Sequence, residues 1–501
     1  MKDLPQLLIP ALVADADGRF TTARPVAHAA LALGVGGFVL YGGDQESVRA
    51  LTKELQQRSR TPLLLGADLE RGAGQQFAGA TGLPPLAALA WLDDLEALRR
   101  AARLTAREAR TMGVNWNFAP VCDLDLQPDN PVLGTRALGS DPELVARRAV
   151  AWIEACQAEG VVACAKHFPG HGRTAGDSHV ELPVVDAGRD TLHASDLVPF
   201  RAAFAAGVAS LMTAHVAYPA LDPSGLPATL SRELLTWLLR QQLRYDGLVV
   251  ADTLSMHGVL AAVGGDEGEA AVQAVAAGCD VLLAPGDVAA TAAALERALA
   301  DRRLDPVRVQ QSVRRRLKWA QWAAPPNDWR RPMAADAAWG AQLADRAVHV
   351  VRGAPQPIPA RPGAVVEVAI VDDDLHAEHP ESARLARGHL REAMLETLRT
   401  AGVAVRPVDA PTPAASTPLV VALFGEVRPW KARAGYAGAS LARVRTLGEA
   451  ARALGRGTTL VQFGDPRLAA ALPAEVDVVC AWSGDRAMQQ AAARFLLTPR
   501  G

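Results

Sequence analysis

Short runs rich in Val, Leu and Ile alternate with longer Ala/Leu/Arg stretches of helical period through the first three-fifths of the chain. The runs predict eight strands, at Leu7–Val13, Gly37–Tyr41, Pro62–Ala67, Val114–Pro120, Val161–Lys166, Ser210–His215, Leu248–Asp252 and Asp280–Ala284. Helical spacing between them predicts helices over Pro25–Leu33, Gln45–Gln57, Asp94–Met112, Pro142–Glu159, Asp190–Ala206, Ser231–Arg240, Glu267–Ala277 and Ala289–Ala300. Strands that are apolar throughout bury both faces. Eight βα units in series therefore point to a closed parallel (β/α)8 barrel of the TIM type rather than an open sheet.

A basic helix follows over Val307–Trp322, expected on the outside of the barrel, and then Pro325-Pro326-Asn327-Asp328 marks a boundary. Beyond it, strand-like runs at Val365–Val371, Val403–Val408, Leu419–Phe424, Thr459–Phe463 and Val476–Trp482 alternate with helices at Glu381–Thr400, Ala439–Ala453 and Asp485–Leu497. That alternation predicts a C-terminal α/β sandwich domain, in which Pro407 confines its run to an edge or an end. The proline-rich Arg352–Pro362 reads as a linker, so the expected division is a barrel over 1–324, a linker over 325–362 and a sandwich over 363–501. The glycines at Gly34–Gly37 and Gly42–Gly43 lack the setting of a phosphate loop and read as turns.

Composition narrows the function classes. With 501 residues, 50% of them hydrophobic, the chain has material for two cores, and a net charge of −2 offers no field for nucleic acid or anionic membrane. The five cysteines, at 122, 156, 164, 279 and 480, form no CxxC pair or disulfide framework; Cys156, Cys164 and Cys279 read as small core residues in a reducing compartment. The first apolar run is cut by Asp15 and Asp17, unlike a secretory signal, and no run is apolar enough to span a bilayer. The expectation is a soluble, cytoplasmic protein.

The chemistry concentrates in Lys166 to Pro183, which carries His167, His171, Asp177 and His179 among glycines directly after an apolar strand. A solvated surface loop is one reading. A metal site is another, since all four are possible ligands, but His-x-x-x-His shares a face only in a helix and Phe168-Pro169-Gly170 breaks one. The third is acid–base catalysis: two residues apart in an extended loop, Asp177 and His179 point the same way, so the carboxylate can orient the imidazole. Other polar residues fall at strand ends, where a barrel of this kind keeps its active site: Asp68 and Glu70, Asn117 and Asp123, His215, and Asp252. In the second domain Glu426, Arg428, Trp430 and Lys431 follow a strand, but an ordinary solvated loop is the expected reading there.

Lys166-His167-Phe168-Pro169-Gly170-His171-Gly172 with Asp177-Ser178-His179, Asp68-Leu69-Glu70, Asn117 to Asp123 with Arg136, and Val249 to Met256 together resemble glycoside hydrolase family 3, in its bacterial β-N-acetylhexosaminidase subgroup. The resemblance covers most of Leu7–Leu317 and implies a (β/α)8 barrel that hydrolyses β-glycosides with retention. It implies Asp252 as the nucleophile and His179 with Asp177 as the acid/base dyad. It further implies Asp68, Arg136, Lys166 and His167 as groups that bind the hydroxyls of the cleaved sugar, with His215 and Met256 lining the same pocket. No cofactor or metal is implied; the partner is a small carbohydrate or muropeptide substrate, in the setting of peptidoglycan recycling.

Several alternatives stay open beside it. By sequence, Asp252 could equally cap the next helix, Lys166 could be a snorkelling strand-end lysine and His167 a core histidine with a backbone partner. A β-glucosidase or a GlcNAc phosphorylase of the same family, a metal-dependent barrel hydrolase and a non-catalytic sugar-binding barrel are the rival functions. One departure concerns the third strand: many hexosaminidases read Asp-x-Glu-Gly-Gly-Arg, whereas this chain has Arg71 directly after Glu70 and glutamines at 75 and 76.

Overall fold

The computed structural model describes residues 3–178, 180–323, 334–361, 363–374, 391–413, 417–428, 431 and 433–498. They form two compact units: one takes in residues up to Thr81, Asp94–Asn130 and Ala137–Met333, the other Gly82–Asp93, Pro131–Arg136 and the chain from Ala334.

The first unit is a ring of parallel strands: β1 (Leu8–Ile9), β2 (Ala11–Val13), β3 (Gly37–Tyr41), β4 (Leu64–Ala67), β5 (Trp116–Asn117), β6 (Val162–Phe168), β7 (Ser210–Thr213), β8 (Leu248–Ala251) and β9 (Val281–Leu283). The predicted first strand is split at Pro10. Leu8 and Ile9 pair with Leu282 and Leu283, whereas Ala11 to Val13 pair with Val39 to Tyr41, so one segment joins both ends of the sheet. Proline has no N–H to give a ladder, which suits it to the residue where the segment changes partner. Nine short strands thus fill eight positions of a barrel.

Its interior is packed rather than open, with Ile9, Val39, Leu64, Trp116, Phe118, Val162 and Val250 in one buried cluster. Gly66 lies so close to Phe118 that a Cβ there would stand 2.6 Å from the ring. At the N-terminal end of β9 the buried Asp280 receives Arg240 at 2.6 Å, Arg308 at 2.9 Å and Arg315 at 3.3 Å. The basic helix, observed at Pro306–Trp322, buries Arg316 against the carbonyl of Pro62 at 2.5 Å. The helix predicted over Asp190–Ala206 is two helices, Arg189–Ala194 and Leu197–Ala205. Pro199 cannot donate to the carbonyl of Ser195, and Asp196 turns its carboxylate to Arg173, so the break falls at Ser195 and Asp196, before the second helix begins. The predicted helix Ser231–Arg240 is observed as a π-helix over Glu233–Gln242.

The second unit holds a six-stranded sheet in the order β10-β15-β14-β13-β11-β12, from β10 (His349–Arg352), β11 (Val365–Asp372), β12 (Ala404–Pro407), β13 (Leu419–Phe424), β14 (Thr458–Phe463) and β15 (Asp477–Cys480). All pairs are parallel except β10 with β15. Val420, Ala422 and Phe424 face the helices Ala393–Thr400 and Arg486–Leu497, while Leu419, Val421 and Leu423 face Gly438–Ala453, which makes a three-layer sandwich. Pro407 ends the outermost strand, where a missing N–H is tolerated. The stretch read as a linker contributes structure: a helix over Ala334–Ala347 and strand β10. Residues 375–390, including the start of the predicted helix Glu381–Thr400, lie outside the described residues. Among the described residues no helix is long and apolar enough to cross a membrane.

Candidate active site at the C-terminal rim of the barrel

Asp68 and Glu70 leave β4 two residues apart, so both carboxylates point the same way while Leu69 between them is buried. Asn117, at the end of β5, braces the peptide between them, accepting from the Leu69 N–H at 3.2 Å and donating to its carbonyl at 3.3 Å. The two carboxylates close on Lys166 from β6, whose ammonium lies 2.8 Å from Asp68 Oδ1 and 2.7 Å from Glu70 Oε1. The Lys166 side chain is only 2% exposed, which removes the snorkelling alternative: its charge is buried and held by two partners. On the rewritten Asp68–Gln75 segment, Gln75 Oε1 accepts from the backbone N–H groups of Glu70 and Arg71 at 2.8 and 3.1 Å and fixes that turn.

The loop after β6 hangs on one buried carboxylate. Asp123 accepts from the backbone N–H of His167 at 3.1 Å and of His171 at 2.7 Å, and lies 2.7 Å from His167 Nδ1. Burial alone would push the Asp123 carboxyl up, but the neighbouring His167 and His171 and the donors they supply hold it below its ordinary range. His171 is also buried; Thr174 Oγ1 sits at 2.8 Å from its Nδ1 and Ser178 Oγ at 3.2 Å from its Nε2. Burial drives its pKa down to about 4, so it is neutral at physiological pH. Further along, Tyr218 donates to the Gly170 carbonyl at 2.9 Å and Asn130 to that of His171 at 2.9 Å. Gly172 passes the Leu124 carbonyl so closely that a Cβ would overlap it, at 1.8 Å. The solvated-loop reading is therefore overturned for the segment up to Ser178. Asp177 is buried within it, and its carbonyl accepts from Val180 and Glu181, both at 3.0 Å. His179 lies outside the described residues.

Asp252 follows the last residue of β8, half-buried, with Oδ1 accepting from the Thr253 N–H at 2.7 Å. It caps no helix: the next one, His257–Leu260, has Met256 at its N-cap. Met256 is buried at that turn. His215, expected to line the pocket, has both ring nitrogens engaged, Nδ1 with Thr229 Oγ1 at 2.7 Å and Nε2 with the Thr253 carbonyl at 3.0 Å. It braces the residue after Asp252. The helix turn that follows meets the Asp177 loop: the Gly258 N–H donates to the Ser178 carbonyl at 3.0 Å. A Cβ at Gly258 would meet the carbonyl oxygens of Ser178, Glu181 and His215 at 2.8, 2.9 and 3.2 Å, so glycine is what permits the approach.

Arg136 belongs to the second unit, on a short turn at Gly134–Arg136, where its guanidinium donates to the Val132 carbonyl at 3.1 Å. The solvated reading of the loop after β13 is corrected as well. Glu426 and Lys431 are buried, with Lys431 2.7 Å from Asp373 and Arg428 2.5 Å from Glu426, while Trp430 lies outside the described residues. Sequence reasoning missed the bracing roles of Asn130, Tyr218 and Thr229, whose partners lie far away along the chain and leave no local pattern. All five cysteines are free and buried, and burial pushes Cys156, Cys164 and Cys279 up to about 12.

Comparison with known proteins places these features in a family. Residues 6–318 match the glycosyl hydrolase family 3 N terminal domain. A protein of Cellulomonas fimi named beta-N-acetylglucosaminidase/beta-glucosidase is 36% identical over 294 residues, spanning 57% of this chain but only 52% of that protein. A beta-hexosaminidase of Thiobacillus denitrificans is 41% identical over 259 residues, 50% of this chain and 71% of the relative. Among solved structures, a glycoside hydrolase family 3 beta-N-acetylglucosaminidase from Paenibacillus sp. str. FPU-7 superposes with a TM-score of 0.81 at 28% identity, covering 99% of this chain and 96% of that one.

Proposed function

Since the chain belongs to glycosyl hydrolase family 3, we propose that it is a retaining β-N-acetylhexosaminidase that removes terminal β-linked N-acetylglucosamine, with muropeptide fragments in the cytoplasm as its substrates. The names of its relatives support the sugar. The observation that carries the mechanism is the Gly258–Ser178 hydrogen bond, which ties the segment of Asp252 to the loop of Asp177 and His179.

In this reading an Asp252 carboxylate oxygen attacks the anomeric carbon while the His179 imidazolium gives its proton to the departing glycosidic oxygen. Asp177 orients that ring and stabilises its charge. The glycosyl ester on Asp252 is then opened by water, whose proton returns to His179, so the overall configuration is retained. Asp68 and Lys166 hold the sugar hydroxyls through charge-assisted hydrogen bonds, and His167 holds one through its ring.

Chromogenic β-glycosides of GlcNAc and of glucose test the substrate. The Cellulomonas fimi protein's double name makes the glucoside the second arm. Asp252→Ala is expected to abolish turnover, and His179→Ala to harm poor leaving groups far more than good ones, because a good one needs little protonation. Preference for glucose would overturn the substrate. Equal losses with both kinds of leaving group would overturn His179 as the acid, and GlcNAc 1-phosphate formed in phosphate buffer would replace hydrolysis by phosphorolysis.

A further inference from the structure

The Asp123 carboxylate is wholly buried and every contact it makes at the loop is with a donor: the backbone N–H groups of His167 and His171, and His167 Nδ1 at 2.7 Å. An ionised carboxylate can only accept, so the proton of that last contact resides on Nδ1. A neutral imidazole carries one proton, which leaves its other nitrogen bare. Among the described residues, His167 Nε2 meets no hydrogen-bonding group. Beside it stands Lys166, an ammonium that can only donate.

We propose that Asp123 is a positioning residue that fixes His167 as the Nδ1–H tautomer, so that neutral His167 offers Nε2 as an acceptor and selects a sugar hydroxyl that donates to it. Lys166 and His167, adjacent along β6, then read the sugar with opposite polarity: the lysine needs an oxygen that accepts, the histidine one that donates. The sugar in this statement rests on the function proposed above; the tautomer does not. Low Asp123 acidity would undo the assignment, and the N–H groups that His167 and His171 direct at the carboxylate act against that by favouring its ionised form despite burial.

The tautomer is read directly by long-range 1H–15N correlation spectra of the full chain with labelled histidine, at roughly pH 8.5, where an ordinary imidazole is neutral. Among the 11 histidines, His167 is assigned by the pattern lost in His167→Gln. A protonated Nδ1 and bare Nε2 are expected; a protonated Nε2 overturns the proposal whatever the enzyme cleaves. Binding gives the second readout. Methyl 1-thio-β-glycosides of GlcNAc, which resist hydrolysis, are compared with one ring hydroxyl at a time replaced by fluorine or by hydrogen. Fluorine cannot donate, so at one position both replacements should weaken binding alike, by about 10- to 100-fold. Asp123→Asn should shrink that penalty. Fluoro analogues that bind like the parent at every position refute acceptance by Nε2. Failure of every GlcNAc ligand to bind refutes the sugar instead, and the wild-type spectrum still decides the tautomer even where Asp123→Asn does not fold.

Discussion

Replacing Lys166 by methionine keeps the length of the buried side chain and removes its charge, leaving Asp68 and Glu70 facing one another. The ammonium lies 2.8 and 2.7 Å from them, and Glu70 is only 7% exposed. At such distances each pair is worth about 6 kcal/mol gross at an effective dielectric of about 20, most of it offset by the cost of dehydrating the ions. What remains to be lost is the penalty of an uncompensated buried carboxylate, about 3–5 kcal/mol when a buried pair loses one partner. Asp68 is partly exposed and can take up water, so the lower end of that range is expected. Urea unfolding should therefore show Lys166→Met destabilised by about 3 kcal/mol, with Glu70→Gln alone costing about 1–2. The double variant decides: with the second charge gone, its loss should fall at least about 1 kcal/mol short of the sum of the single losses. Strict additivity would mean that the three charges do not interact in solution, and the clamp as the anchor of the sugar site would be wrong. Turnover of the chromogenic GlcNAc glycoside, measured on the same proteins, should fall for both single variants.

Three further outcomes follow from other parts of the molecule. His171 has a pKa of about 4 when folded against 6.5 otherwise, so the unfolded chain binds the extra proton between those values and stability falls as pH drops from about 6.5 to about 4. His171→Gln should flatten the dependence of the urea midpoint on pH over that window, by up to about 1.4 kcal/mol per pH unit; an unchanged slope would mean that the ring is not buried neutral. At the other end of the barrel, burial works to raise the Asp280 carboxyl, but Arg240, Arg308 and Arg315 hold it low, so its contribution is present above the usual carboxylate range and lost as pH falls below it. Asp280→Ala should cost about 3–5 kcal/mol at neutral pH, read by thermal or urea unfolding, and should cost less in acid. Gly258→Ala places a methyl against three carbonyl oxygens and should part the two segments; a shift of about 1 Å would lower turnover of poor leaving groups by roughly a hundredfold. Wild-type rates there would detach the Gly258 contact from catalysis.

Much of the barrel was legible because strands buried on both faces must be apolar throughout, and such runs stand out between amphipathic helices. The split at Pro10 was not, because which neighbour each half joins depends on closure of the ring rather than on local pattern. The helix Ala334–Ala347 was hidden among prolines and arginines that argued for a boundary. For the loop after β13, strongly charged sequence suggested solvent, yet Asp373, Asp374, Glu426 and Lys431 satisfy one another out of water. Charge alone does not distinguish a solvated loop from a buried network, since the partners that permit burial lie over fifty residues away along the chain. In the candidate site the strand-end residues were readable as types, and their division of labour was not: His215 and Lys166 look equally free in sequence until Thr253 and Glu70 are seen to occupy them.

The same commitments bear on how the histidines of the β6 loop can be used. A metal site built from His167, His171, Asp177 and His179 would need a nitrogen of His171, but one faces Thr174 and the other Ser178, and Asp123 takes Nδ1 of His167. Turning His171 toward an ion would release Ser178, the residue whose carbonyl receives the Gly258 N–H. The metal would thus be bound at the expense of the hydroxyl contacts that hold the His171 ring. The hydroxyl partners instead make His171 a neutral post, and in the proposed mechanism His167 is a sugar contact and proton transfer falls to the pair at 177 and 179. Chelator treatment of the purified protein should accordingly leave the hydrolysis rate unchanged; a rate lost to chelator and restored by one divalent ion would require His171 to leave Thr174 and Ser178, and would reverse this assignment.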